Sequence, residues 1–88
     1  MLLQRTERQL QANGAFDFIG TAINGLAGPF TITRAGLIAA GHRQGARATL
    51  EFLRRLEQSG YNSVRLAHSH NELRIETRLR IFAGASYE

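Results

Sequence analysis

The stretch LRIETRLRIF, Leu73 to Phe82, admits two backbone conformations, and the fold of the whole chain turns on which one it takes. As a strand it alternates strictly, with Leu73, Ile75, Thr77, Leu79 and Ile81 on one face and Arg74, Glu76, Arg78 and Arg80 on the other. A turn at His70-Asn71 pairs it with SVRLAHS, residues 63–69. That register sets Leu66 opposite Ile75, Val64 opposite Thr77 and Arg65 opposite Glu76, a chemically sensible hairpin. As a helix, the same stretch is capped by Asn71, carries Glu72 favourably in its first turn, and gathers Ile75, Leu79 and Phe82 on one face. Periodicity alone slightly favours the hairpin.

The segments upstream are less divided. Residues 46–59 form the clearest amphipathic helix: Ala46, Leu50, Leu53 and Leu56 make one apolar stripe, Arg47, Glu51, Arg54 and Arg55 lie largely off it, and Gly60 closes it. Gly45 allows a tight turn in front. Thr33 can cap a helix running to about Gly41, because its hydroxyl can accept an orphan amide at the helix start. The run LIAAG within it is small and apolar on most sides, as expected of a helix packed closely by neighbours. Nearer the N-terminus, AFDFIGTAIN (Ala15–Asn24) places Phe16, Ile19 and Ile23 at helical spacing, with Gly25 as a stop. GLAGPF, which holds the only proline, reads as a connector. Residues 2–12 predict a weakly amphipathic helix with leucines at 2, 3 and 10, ended by Asn13-Gly14.

Eighty-eight residues predict a single domain, 1–88. A chain of this size buries only roughly 60–65% of its unfolded surface. There is no cysteine, hence no disulfide and no thiolate metal site, so the core comes from the 43% hydrophobic residues or partly from a partner. A homo-oligomer is one candidate for that partner. No apolar run reaches membrane-spanning length, and MLLQRTERQLQ is charged too early for a secretory signal. The chain is therefore expected to be cytoplasmic as synthesised, becoming virion-associated or exported only through a partner.

The net charge is +4, and all eleven basic residues are arginine. Residues 1–33 balance Arg5 and Arg8 against Glu7 and Asp17; residues 34–80 hold nine arginines against four glutamates, a local +5. A GC-rich genome is the plain reading of the arginine bias. Forked contacts to phosphate or carboxylate, which lysine cannot make, are the functional one. A basic half suggests an acidic partner. His42, Arg43, Arg47, Arg54 and Arg55 are the candidate partner-binding residues.

Two resemblances follow. With a C-terminal hairpin, the order helix, short strand (FTI), helix, turn, helix, wing is that of a winged helix, an α+β fold. ATLEFLRRLEQSGY resembles the third helix of many winged-helix repressors through Thr49, Leu53, Leu56 and Gly60. That resemblance implies a DNA-binding regulator with Arg43, Arg47, Arg54 and Arg65 or Arg74 on phosphates, one or two of them reaching base edges.

The second needs no gaps. Ile32, Thr33, Gly36, Leu37, Ala39, Ala40, His42 and Gly45 form I-T-x-x-G-L-x-A-A-x-H-x-x-G, with Phe52-Leu53 following seven residues later. This looks like a helical module of phage-type and bacterial peptidoglycan-degrading proteins, the lytic transglycosylases and lysozyme-like virion proteins. FIGTAING upstream and I-x-x-x-L-x-x-F-A-G, Ile75 to Gly84, downstream resemble the same module, so the likeness covers about residues 18–84. The family usually has alanine where Gly41 stands and an apolar residue where Arg43 stands; Tyr61–Asn71 has no good counterpart. The resemblance implies a closing helix at Ile75, Leu79 and Phe82. The expected architecture is then mainly α, a small single-domain bundle of four or five short helices, with the winged helix as the alternative.

Glycan cleavage of the lysozyme type needs a glutamic acid of raised pKa in an apolar pocket, usually beside a second carboxylate. The acids are Glu7, Asp17, Glu51, Glu57, Glu72, Glu76 and Glu88; none lies in a segment resembling a glycosidase active site, and most fall at positions expected to face solvent. The chain is thus read as non-catalytic and without a cofactor: an accessory or adaptor module of a phage-derived or cell-wall-targeting system, binding an acidic protein or a peptidoglycan-related polymer. His42 reads either as a helix-end histidine favoured by the C-terminal dipole or as a ligand contact. His68 and His70 form an H-x-H pair that could hold zinc, but no third ligand is evident.

Overall fold

The computed structural model describes residues 2–83, with side chains from Arg5 onward. Gly84 and Glu88, and the side chains of Leu2 and Leu3, lie outside the described residues. The chain runs α1 (Leu2–Ala12), β1 (Ala22–Gly25), β2 (Gly28–Thr31), α2 (Arg34–Gln44), α3 (Ala46–Gln58) and α4 (His70–Ile81), with 3-10 turns at Ala15–Phe18 and Ser63–Arg65.

Residues 70–81 are helical, so the fold is the mainly helical one and not a winged helix with a C-terminal hairpin. The deciding chemistry sits just before the ambiguous stretch. Ser69, not Asn71, is the cap: its hydroxyl accepts from the Glu72 amide at 3.1 Å, while the Glu72 carboxylate accepts from the Ser69 amide at 3.0 Å. Such a reciprocal box satisfies two backbone donors at once and fixes where the helix begins. Ile75 and Leu79 are then fully buried.

The hairpin that does form lies elsewhere, at Ala22–Thr31, where a helix and a connector were expected. Two features end the helical path. The side chain of Asn13 accepts from the Ala15 amide at 2.9 Å and starts only a short 3-10 turn, and Gly20 takes φ +91°, which no helix continues through. Ile19, counted as part of a helical stripe, is 43% exposed. Ile23 pairs with Phe30 across the antiparallel ladder, and both are buried. Asn24 ties the hairpin to the segment after α3, its amide donating to the Tyr61 carbonyl at 2.9 Å and its side chain to Asn62 Oδ1 at 3.1 Å.

The centre of the molecule is α2. Thr33 caps it, accepting from the Gly36 amide at 3.1 Å, and Ala35 through Gly41 are all buried. A helix covered on every side must be built of small residues so that its neighbours can approach, and α1, α3 and α4 all pack on it. It ends at Gln44, one turn beyond the expected Gly41. Gly45 alone, at φ +93°, joins it to α3. The stripe of α3 is as expected, Ala46, Leu50, Leu53 and Leu56, joined by Thr49 and Phe52.

Candidate functional site

The helical order places the five partner-binding candidates on two adjoining helices. His42 and Arg43 lie exposed in the last turn of α2, where positive charge favours the helix dipole. Arg47 lies exposed in the first turn of α3, and Arg54 exposed two turns on. Arg47 lines a shallow cleft of about 550 Å³ with Gln9, Ala12, Asn13, Gly45 and Ala46; Asn13 closes its floor by donating to the Ala46 carbonyl at 3.1 Å.

Arg55 differs from the other four. Its guanidinium pairs with Glu72 and donates to the Ala67 carbonyl at 2.9 Å, so it stitches α3 to the start of α4. Burial of the Glu72 carboxyl acts to raise its pKa. The Ser69 amide and the Arg55 charge outweigh that and hold it below the ordinary 4.5.

The structure also assembles a polar cluster that the sequence reading did not foresee. Glu76, expected on a solvated face, is buried. One carboxylate oxygen accepts from the Ser63 hydroxyl and the other from the Leu26 amide at 2.8 Å. His68 reaches the same hydroxyl through Nε2 at 2.6 Å, and its ring packs on Phe52 with centroids 5.7 Å apart. With the proton assigned to Nε2, a relay runs from His68 through Ser63 to Glu76, joining α4, the hairpin turn and the 3-10 turn at 63–65. Serine, histidine and glutamate together invite comparison with a nucleophile triad, and the geometry differs from one. In a triad the carboxylate holds the ring nitrogen opposite the serine. Here the Glu76 oxygen that binds Ser63 also lies 3.8 Å from Nε2, the nitrogen facing the serine, and Ser63 is fully buried.

The H-x-H pair is divided by this arrangement. His68 faces inward to Ser63, and His70 is exposed at the first position of α4. Among the described residues no three histidine or carboxylate side chains gather as a metal site, and no described helix is long and apolar enough to cross a membrane.

One surface of α4 completes the inventory. His70, Leu73, Arg74, Thr77, Arg78 and Ile81, with Phe82 at its end, line a shallow groove of about 300 Å³. No family model, characterised protein or solved structure matches this chain.

Proposed function

We propose that the chain is a non-catalytic accessory or adaptor module that binds an acidic partner protein or a peptidoglycan-related anionic polymer, as part of a phage-derived or cell-wall-targeting system. The observation that carries this reading is an asymmetry in pairing. Four glutamates are engaged within the chain: Glu7 with Arg34, Glu57 with the Tyr61 hydroxyl, Glu72 with Arg55, and Glu76 with Ser63 and Leu26. Of the eleven arginines, only Arg34 and Arg55 have ion-pair partners among the described residues. Internal bonding thus occupies most of the glutamates and leaves most cations outward, including Arg43, Arg47, Arg54 and Arg74. A field of unpaired guanidinium groups favours anionic partners and forked contacts to carboxylates. The likeness of Ile32–Leu53 to the helical module of peptidoglycan-degrading proteins supports the cell-wall context.

The test is retention of the purified protein on immobilised poly-L-glutamate and on isolated sacculi. Both should hold it at low ionic strength and release it as salt shortens the screening length below about 10 Å. Passage through both without delay would overturn the reading. A fall in the turbidity of a sacculus suspension would overturn its non-catalytic part.

A further inference from the structure

The alternation of Leu73, Ile75, Thr77, Leu79 and Ile81 survives as a fact about a helix. Residues two apart on an α-helix are separated by about 200°, at about 100° per residue. A period of two therefore draws two stripes on nearly opposite sides. Ile75 and Leu79 form one, fully buried against the core. Leu73, Thr77 and Ile81 form the other, and its two aliphatic side chains are 42% and 59% exposed. Beside this outer stripe runs a basic row at the same interval, His70, Arg74 and Arg78. The two rows together line the groove on α4.

We infer that this outer face of α4 is a docking site for an acidic amphipathic helix of a partner protein. The inference rests on the adaptor reading and moves its contact surface to a face that the sequence did not single out. Charge complementarity names the occupant. The acids of α4, Glu72 and Glu76, are engaged on its inner side, by Arg55 and by Ser63 and Leu26. Neither Arg74 nor Arg78 has an ion-pair partner among the described residues. A carboxylate seated in the groove pairs with these two guanidinium groups. Side chains four apart on a helix are spaced by about 6 Å along its axis, so carboxylates at i and i+4 of a partner helix match Arg74 and Arg78 while its apolar side chains cover Leu73 and Ile81.

Other occupants fit less well. A second copy of the chain would set like-charged rows against each other. Duplex DNA would leave Leu73 and Ile81 against phosphates. For a lipid surface, two aliphatic side chains with a threonine between them give little area to insert.

The test uses a labelled helical peptide with leucines at i, i+4 and i+8 flanked by glutamates, followed by fluorescence anisotropy on the full chain. A lysine-for-glutamate peptide, random duplex DNA, and phosphatidylcholine–phosphatidylglycerol vesicles are titrated in parallel. The glutamate peptide should bind and the lysine peptide should not. Arg74→Glu and Ile81→Ser, both at exposed positions, should each weaken binding by about tenfold or more, with unchanged circular dichroism; Arg8→Glu, exposed on α1, should stay within about twofold. If Arg43→Glu and Arg47→Glu lose binding and the α4 variants keep it, the docking face is overturned and the adaptor reading stands. If DNA or vesicles bind more tightly than the peptide through α4, the occupant is overturned. The same holds if the peptide fails while poly-L-glutamate or sacculi retain the protein. Failure of every anionic probe overturns both.

Discussion

Two glycines in the central helix give a sharp test of how the fold is packed. A β-carbon built on Gly36 would meet the Leu79 carbonyl oxygen at 2.9 Å, the Leu79 Cα at 3.2 Å and Thr33 Oγ1 at 3.3 Å. The first two are main-chain atoms of α4, so relief requires the whole helix to move outward. A β-carbon on Gly41 would meet Thr6 Cγ2 at 3.0 Å and the methyls of Leu10 at 3.2 and 3.4 Å, the ends of side chains that can turn aside. Both positions lie inside a helix, where alanine gains about 1 kcal/mol over glycine. At Gly36 the clash is with main-chain atoms, so the overpacking cost lies in the upper part of its usual range, about 2–3 kcal/mol, and leaves a net loss of about 1–2 kcal/mol. At Gly41 the two effects nearly cancel, within about 0.5 kcal/mol. Urea unfolding followed by circular dichroism reads the difference. With a slope near 1 kcal/mol/M for a small domain, Gly36→Ala should lower the midpoint by about 1–2 M and Gly41→Ala should barely move it. A Gly36→Ala protein as stable as the Gly41→Ala protein would refute the close approach of α4 to α2.

Three further expectations follow from the polar contacts. Glu76→Ala removes the acceptor shared by the Leu26 amide and the fully buried Ser63 hydroxyl, leaves Ser63 with His68 alone, and should cost about 1–3 kcal/mol. Glu76→Gln keeps an acceptor and should lose less, so the order of urea midpoints is wild type, Gln, Ala. Glu72 has its pKa depressed in the folded state, so its contribution is present above its unfolded value and is lost as pH falls through the folded one. Thermal midpoints should therefore drop on acidification below 4.5, and Glu72→Gln should flatten that acid limb; an unaltered slope would contradict the assignment. Thr33→Ala removes the cap of α2 and should cost about 1 kcal/mol, recoverable with serine and measurable by the same unfolding curves.

The parts of the fold that were legible in sequence are those where one signal dominated. Thr33 had a helix to cap, Leu50, Leu53 and Leu56 had no competing period, and the small residues Ala35–Gly41 had no reason to be small other than close packing. Two segments depart from their sequence signal for physical reasons. Phe16, Ile19 and Ile23 fit a helix by spacing, but three apolar residues over eight positions also fit a turn followed by a strand, and Gly20 at φ +91° selects the latter. The letters S-H-N-E hold the Ser69–Glu72 capping box beside Asn71, itself a residue type that caps helices, and only the backbone geometry chooses between them. The candidate site was legible as charge and illegible as pairing. No spacing rule brings Ser63, His68 and Glu76 together with the Leu26 amide, because the last contact spans fifty residues and depends on where the hairpin turns. Nor did sequence separate Arg55, held by Glu72, from the exposed Arg54 beside it.

Residues 70–81 are one helix with two faces, the inner closing the core and the outer receiving an acidic partner. A ¹H–¹⁵N correlation spectrum, taken without and with the glutamate peptide, tests both halves together. Helical shifts are expected across 70–81, with slow amide exchange at Ile75, Glu76 and Leu79, and peptide-induced shifts confined to Leu73, Arg74, Thr77, Arg78 and Ile81 with their neighbours. Extended shifts from 73 to 81, or peptide-induced shifts gathered at residues 42–47, would contradict that expectation.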